Sequence, residues 1–132
     1  MTKWGDIMPE NNESVLKQIY DKLKENGQKV YWPGQHKGEC TERYIALKMA
    51  GVTPLTGVSS ERPLYDIMLY VPYNQYSQLE TWAFEVKDIL RTLYPMIMYA
   101  GNETSDYMDE TVKGIMKSFQ YQGIRKIVYM NI

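Results

Sequence analysis

The stretch LYDIMLYVPYNQYSQLETWAFEVKDILRTL, residues 64–93, decides the fold because it reads as a strand followed directly by an amphipathic helix. Large apolar side chains recur at every second position in its first part, which predicts a half-buried strand over 64–72. Pro72 has no backbone donor for a sheet ladder, so it ends that strand. The side chains on the apolar face are Tyr65, Ile67, Leu69 and Val71.

The second part of this stretch predicts a helix that ends before Pro95, because the residue preceding a proline disfavours the helical conformation. Ser77 and Glu80 have the spacing of a capping box, in which each side chain bonds the backbone N–H of the other residue. Apolar side chains at steps of three and four residues form one stripe for burial. They are Leu79, Trp82, Ala83, Val86, Ile89, Leu90 and Leu93.

The remainder of the chain predicts one further helix and several further strands. Asn11 or Asn12 is the expected cap of a helix over 13–25, and its apolar side carries Val15, Leu16, Ile19 and Leu23. Strands are predicted over 28–32, 43–49, 96–100 and 113–128, with a bulge or bend at Gly123. Segments 35–42, 51–63 and 101–109 are rich in Gly, Pro and polar residues and are interpreted as loops, the last with a helical turn near Asp106 and Asp109.

The order of these elements is helix, two strands, strand, helix, two strands. It predicts an α+β fold, with a mixed or antiparallel sheet of about four to five strands and two main helices packed on one face. At 132 residues the chain fits a single domain over 1–132. Residues 1–10 are expected to form an N-terminal arm that is mobile unless a neighbour covers it.

The overall composition excludes several classes of protein. The 15 basic and 16 acidic residues nearly balance, so the chain lacks the basic footprint typical of nucleic-acid binding. One cysteine cannot form an intrachain disulfide framework, and it fits a reducing compartment. No apolar run reaches the roughly 18 residues of a membrane span, which favours a cytoplasmic protein. The 12 Tyr and 9 Met suit either a small core or a protein interface.

The single histidine and the single cysteine, His36 and Cys40, lie close together in the loop PGQHKGEC. A thiolate and an imidazole could act there as nucleophile and base. A zinc site, however, needs about four ligands, and no helix N-terminus follows Cys40 to activate its thiol. The acidic residues Asp106, Asp109 and Glu110 are typical of a solvated turn. No catalytic residue, metal site or cofactor is therefore predicted.

Two features indicate contact with other molecules. Phe84 falls outside the apolar stripe of the predicted helix, on the side of Arg91, given about 100° of rotation per residue. A large ring there indicates either contact with another chain or a solitary exposed aromatic. The last predicted strand carries a basic set that either binds nucleic acid or prevents edge-to-edge aggregation. That set is Lys113, Lys117, Arg125 and Lys126, with Tyr121 and Tyr129 for base stacking.

Four segments, read together, resemble a family of small minor capsid proteins from tailed phages and prophages of Gram-positive bacteria, which is related to tail-terminator proteins. The segments are VYWPGQHKGEC, RYIALKMAG, YDIMLYVPYNQYSQLE and KGIMKSFQYQGIRKI. The resemblance spans residues 29–127 and lies in the order and spacing of the segments. The matching positions are His36, Gly38, Cys40, Tyr65, Asp66, Tyr70, Val71, Pro72, Tyr76, Leu79, Met116, Ser118, Tyr121, Arg125 and Lys126.

This resemblance implies an α+β fold, assembly as a hexameric ring, and a place at the head-proximal end of a long non-contractile tail. Such a protein stops polymerisation of the tail tube and forms part of the head–tail joining surface, first in the host cytoplasm and then in the virion. Its partners would be itself, the tail-tube protein and a head–tail connector or stopper protein. DNA would only pass through the lumen, no membrane would be involved, and the motif positions would be structural.

A ring interface uses two different patches on each subunit. The first predicted patch contains Phe84 and Arg91, and the second contains Trp32 and His36. The alternative functions are another neck component, such as a head-completion or stopper protein, a nucleic-acid-binding module, and an enzyme built around His36 and Cys40.

Overall fold

The structure, a computed structural model, describes residues 14–54, 60–123 and 125–126. The predicted arm over 1–10, the predicted caps Asn11 and Asn12, and Tyr129 lie outside the described residues. The elements, in chain order, are α1 (Val15–Glu25), β1 (Val30–Tyr31), β2 (Tyr44–Pro54), β3 (Ser60–Pro72), a 3-10 helix (Tyr73–Gln78), α2 (Leu79–Arg91), β4 (Ile97–Glu103), β5 (Tyr107–Asp109), β6 (Gly114–Gly123) and β7 (Arg125–Lys126).

The strands form one mixed sheet with the order β1-β2-β3-β6-β4. β1 and β2 are parallel, whereas the other pairs are antiparallel. β7 pairs with β3 in the same register as β6, and β5 pairs with the edge of β6 that also carries β4. The predicted α+β fold is confirmed, with seven strand segments, somewhat more than predicted.

Strand β3 and helix α2 build the core as the sequence predicts. The buried side chains of β3 include Tyr65, Ile67, Leu69 and Val71. The buried stripe of α2 consists of Leu79, Trp82, Ala83, Val86 and Leu90. α1 adds Ile19 and Leu23 to the same hydrophobic cluster. The Trp82 indole N–H donates to the Gln28 side-chain carbonyl at 2.9 Å, so this large ring is buried without losing its hydrogen bond.

Both predicted helix caps are wrong. Ser14 caps α1, because its side-chain oxygen accepts a hydrogen bond from the Lys17 backbone N–H at 3.0 Å. At α2, the chain first forms the 3-10 helix Tyr73–Gln78, which contains Ser77. Gln78 therefore occupies the cap position of α2, without a side-chain hydrogen bond, and Ser77 and Glu80 do not form a capping box.

The predicted loop over 51–63 is wrong at both ends. β2 continues to Pro54 and β3 begins at Ser60, with Val52 opposite Pro63. A register shift between Met49 and Gly51 absorbs one residue, which allows pairing to continue past the glycine. The predicted loop over 101–109 is also largely strand, since β4 extends to Glu103 and β5 lies along β6. β6 confirms the last predicted strand and ends at Gly123.

The face of the sheet opposite the helices carries rows of side chains that run across neighbouring strands and range from buried, as at Tyr44, to exposed, as at Tyr107. One row contains Tyr44, Tyr70, Met116 and Tyr107. The next contains Ala46, Met68 and Ser118, and a third contains Lys48, Asp66 and Gln120. We call this side the uncovered face. Its side chains alternate with the core residues because successive residues of a strand point to opposite sides.

Candidate interaction surfaces at the two edges of the sheet

The first candidate surface lies on α2 beside the β4 edge. Phe84 is 60% exposed there, as the helical pattern predicts. Arg91 follows two helical turns later and pairs with Asp88 at 3.1 Å. Glu80 precedes Phe84 by about one turn on the same side of the helix. We call this set, Glu80, Phe84, Asp88 and Arg91, the helix patch.

A half-buried lysine supports the base of the helix patch. Lys87 Nζ lies 2.9 Å from Glu103 Oε2 on β4, and its side chain is 20% exposed. It also lies 5.6, 4.9 and 5.0 Å from the ring centroids of Phe84, Tyr99 and Phe119. A cation held over aromatic faces is attracted to their electron density. Lys87 therefore joins α2 to the edge of the sheet.

The ion pair of Lys87 belongs to a larger network along this edge. Lys117 of β6 contacts Asp106 at 2.9 Å and Glu103 at 3.8 Å. The Tyr76 hydroxyl donates to Asp106, and the Tyr99 hydroxyl donates to Glu103, each at 2.5 Å. This network is not predictable from residue spacing, because its members are far apart in the chain. The one sequence feature that indicates the network is the alternation of β6, because that alternation puts the charged Lys117 on the helix-covered face, opposite Leu69.

Hydrogen bonds control the charge of the two acids in this network. Burial acts to raise the pKa of Glu103, but the hydrogen bonds from Tyr99 and Lys87 and the nearby cations outweigh it and lower that pKa. Asp106 behaves in the same way, with Tyr76 and Lys117 lowering its pKa against the effect of burial. The hydrogen bond to Asp106 and its charge raise the pKa of Lys117. The network is therefore ionised at neutral pH.

The second candidate surface lies at the β1 edge, on the uncovered face. The His36 ring stacks on Tyr44 at 3.9 Å between centroids, and Tyr44 stacks on Tyr70 at 4.8 Å. Tyr31 contacts both His36 and Tyr44 edge-on, at 5.2 and 5.5 Å. Burial raises the pKa of the Tyr44 and Tyr70 hydroxyls, which stay neutral. Four aromatic side chains thus form a continuous stack that fixes the loop over 35–42.

A surface depression of about 430 Å³ opens beside this stack, lined among others by Tyr31, His36, Lys37 and Tyr44. We call it the histidine cavity. The His36 Nδ1 atom is buried without a hydrogen-bond partner among the described residues. Lys37 is exposed and makes no ion pair within the described part of the chain.

Trp32 and His36, which were predicted to share a patch, contact different parts of the molecule. Trp32 stacks on Tyr20 of α1 at 4.5 Å and packs against the core. His36 stacks instead on Tyr44, on the uncovered face. The turn between them, held by the Gln35 backbone N–H donating to the Trp32 carbonyl at 3.0 Å, reverses the chain. His36 remains part of a candidate surface, whereas Trp32 is a packing residue.

The arrangement of His36 and Cys40 does not favour nucleophilic catalysis. Cys40 is 5% exposed, and its thiol donates to the Glu42 carbonyl at 3.4 Å, not to the His36 ring. Burial raises the pKa of the Cys40 thiol to about 11, so the reactive thiolate is scarce at neutral pH. Asp109 is likewise occupied, because its carboxylate accepts hydrogen bonds from the Thr111 backbone N–H and hydroxyl.

The segments that carry the family resemblance lie next to one another in the fold, since β3 pairs with both β2 and β6. The Cys40 backbone N–H donates to the Val112 carbonyl at 2.6 Å, which joins the loop over 35–42 to the start of β6. Pro72 lies opposite Gly114, and Tyr65 lies opposite Tyr121. The Asp66 carboxylate accepts a hydrogen bond from the Gln120 side chain at 2.9 Å, and Tyr70 lies opposite Met116. Gly38 has a φ of 84°, a conformation that favours glycine.

The structure weakens the nucleic-acid alternative. Lys113 pairs with Glu39 at 3.2 Å, and Lys117 pairs with Asp106, so two of the four basic side chains are neutralised. Tyr121 is 4% exposed and packs against Tyr99 and Phe119, so it cannot stack on a base. The side chains of Arg125 and Lys126 lie outside the described residues.

The sequence matches no protein-family model, and no curated protein is significantly similar to it. Within the described ranges, no helix has the length and apolar character needed to cross a membrane. The same part of the chain holds no cluster of His, Cys, Asp and Glu that could bind a metal ion.

Proposed function

We propose that this chain is a structural assembly protein of a phage or prophage tail. In this proposal it forms a ring, which we expect to be a hexamer, at the head-proximal end of the tail tube. The ring stops polymerisation of the tube and forms part of the surface that joins the head. Its partners are other copies of itself, the tail-tube protein and a head–tail connector or stopper protein. DNA passes through the lumen without being read, and assembly takes place in the host cytoplasm.

The order and spacing of the motifs over residues 29–127 carry this proposal. The contacts of those segments support it. His36 stacks on Tyr44 and the Cys40 backbone N–H donates to the Val112 carbonyl, while Asp66 accepts a hydrogen bond from Gln120 and Tyr121 is buried. A protein that acts by docking needs a rigid body with outward contact surfaces. The helix patch and the histidine cavity are two such surfaces, at opposite edges of one sheet.

The proposal is tested by deleting the coding sequence from the phage or prophage that carries it and measuring tail length by electron microscopy. Overlong tails without heads are the expected result, because nothing stops the tube. Restoring the protein in trans should return tails to a uniform length. Tails of normal length that still lack heads would contradict a terminator.

A second assay distinguishes the terminator from another neck component. The purified chain is mixed separately with tail tubes and with DNA-filled heads, and binding is measured by co-sedimentation. A terminator binds the ends of tubes without heads being present. A head-completion or stopper protein binds heads first, so binding to heads alone would identify that alternative.

A further inference from the structure

The exposed side of α2 presents an aromatic ring and a carboxylate that are available to another molecule. Phe84 is 60% exposed although it is a large apolar side chain. Glu80 is exposed one helical turn away and makes no ion pair within the described part of the chain. Lys87, by contrast, is held by Glu103 and lies beneath the ring. The position of Phe84 is therefore fixed from below while its outer face stays open.

The histidine cavity offers the complementary chemistry. Its volume of about 430 Å³ is lined by the partly exposed rings of Tyr31 and His36, which suit the edge or face of another aromatic ring. Its charged lining also includes Glu39 and Glu42, which pair with Lys113 and Lys29. Lys37 at its rim has no ion pair among the described residues.

The helix patch and the histidine cavity of one chain cannot contact each other. The helix patch lies beside Glu103 of β4, whereas the histidine cavity lies beside Tyr31 of β1. β1 and β4 are the opposite ends of the sheet order. A patch on one edge that fits a cavity on the other edge makes a head-to-tail contact between copies, which closes into a ring or continues as a filament.

We infer that Phe84 of one copy enters the histidine cavity of the next copy and that Glu80 pairs there with Lys37. The occupant of the cavity is thus a second copy of this chain. The opposite charges of Glu80 and Lys37 favour contact between unlike surfaces, since contact between two helix patches, or between two histidine cavities, would bring like charges together. This inference rests on the proposed function in one respect, because both require that the chain associates with itself.

The test uses charge reversal at each side of the contact. Glu80→Lys alone and Lys37→Glu alone each place like charges together, so each should raise the self-dissociation constant about tenfold or more. A one-to-one mixture of the two variants should assemble again, because every contact in an alternating ring then joins opposite charges. Glu25→Lys is the matched control, since Glu25 is exposed on α1 and has no ion pair with a described residue.

Molar mass is measured by light scattering over a concentration series, with circular dichroism to confirm folding. Assembly of the wild type and of the mixture, but not of either variant alone, supports the inference. A wild type that stays monomeric overturns it, and so does assembly of both single variants with unchanged affinity. Because no tail tube is present, the proposed function can fail separately: a ring that obeys the charge pattern but does not cap tubes leaves this inference standing.

Discussion

The two faces of the sheet are built from alternate residues of the same strands, yet their environments differ sharply. On the helix-covered face, Ile67 is fully buried between Leu47 and Phe119 of the neighbouring strands. On the uncovered face, its neighbour Met68 lies half-buried between Ala46 and Ser118. A single step along β3 therefore moves a side chain from the core to a surface that neither described helix covers.

This difference separates the residues that stabilise the fold from those that are available for self-association. The covered face joins both helices to the sheet through one hydrophobic cluster, and burial of apolar area is the main source of folding free energy. The uncovered face carries rings, methionines and small polar groups, and several of them, including Met68 and Tyr70, are only partly buried. Stability should therefore respond strongly to changes on the first face, whereas self-association should respond to changes at the edges.

The largest difference in the free energy of unfolding is expected between variants of two adjacent residues of β3. Ile67→Ala should lower the free energy of unfolding by about 3 kcal/mol, because it leaves a cavity in a packed core. Met68→Ala should lower it by less, about 1 kcal/mol, since the Met68 side chain is partly exposed and truncation leaves no enclosed cavity. Both values are measured by urea denaturation. Equal losses for the two variants would mean that the faces are not different in packing.

The second prediction concerns Gly114, where the loop over 35–42 packs onto the sheet. A Cβ atom added there would lie 2.9 Å from Cys40 Cβ and 3.0 Å from the Val71 carbonyl oxygen. Gly114→Ala should therefore displace backbone and cost about 2 kcal/mol of stability, measured by thermal and chemical denaturation.

Gly51→Ala is the matched control, because a Cβ at Gly51 meets nothing within 4 Å. Its effect should stay within about 0.5 kcal/mol. If Gly114→Ala were equally mild, the loop would have to be able to move away from β6. Cys40 would then react with alkylating reagents faster than its 5% exposure allows.

The third prediction tests the aromatic stack of the uncovered face. Tyr70→Leu removes the ring on which Tyr44 stacks at 4.8 Å, and should cost about 1 kcal/mol, as aromatic pairs typically contribute. Tyr73→Leu, at a 42% exposed tyrosine just after β3, should change stability by less than about 0.5 kcal/mol. Denaturation of the two variants in parallel gives the comparison, and a larger loss for Tyr73→Leu would contradict it.

The sequence predicted those elements whose periodicity is imposed by burial. The alternation in β3 and the stripe of α2 follow directly from one-sided packing, and the exposure of Phe84 follows from the same stripe. The ends of β2 and β3 were missed because Gly51 and Pro63 are typical of loops. Pro63 is nonetheless buried in the sheet, beside the glycine at position 123. Neighbouring strands override local preference there.

The candidate surfaces were predicted only in part, for a related reason. His36 and Trp32 are close in sequence, but a tight turn sends their rings to opposite layers. Glu80 and Lys37 carry no sequence signal of their own, because a charged residue without a partner looks like any solvated charge. What distinguishes them is the absence of a described ion partner beside an exposed ring or a cavity, and that becomes visible only in three dimensions.

The smallest expected effect concerns the ion network at the β4 edge. The folded-state pKa values of Glu103 and Asp106 lie below their ordinary values of 4.5 and 3.8. Their contribution to stability is therefore fully present above those ordinary values and is lost as the pH falls through the lowered ones. Because both side chains are partly exposed, the contribution is expected to be under about 1 kcal/mol for each.

The measurement compares the wild type with the double variant Glu103→Gln, Asp106→Asn by urea denaturation from pH 7 to pH 3. The wild type should be the more stable at pH 7, and the difference should shrink as the pH falls toward 3, because the wild-type carboxylates then begin to be protonated whereas the amides do not titrate. Tyr76→Phe sharpens the test, since it removes one hydrogen bond to Asp106 but keeps the charge. The pH-dependent loss of stability should then be smaller and should be complete at a higher pH, because the folded-state pKa of Asp106 moves back toward its ordinary value. A difference that is constant across the pH range would mean that the network contributes packing, not charge.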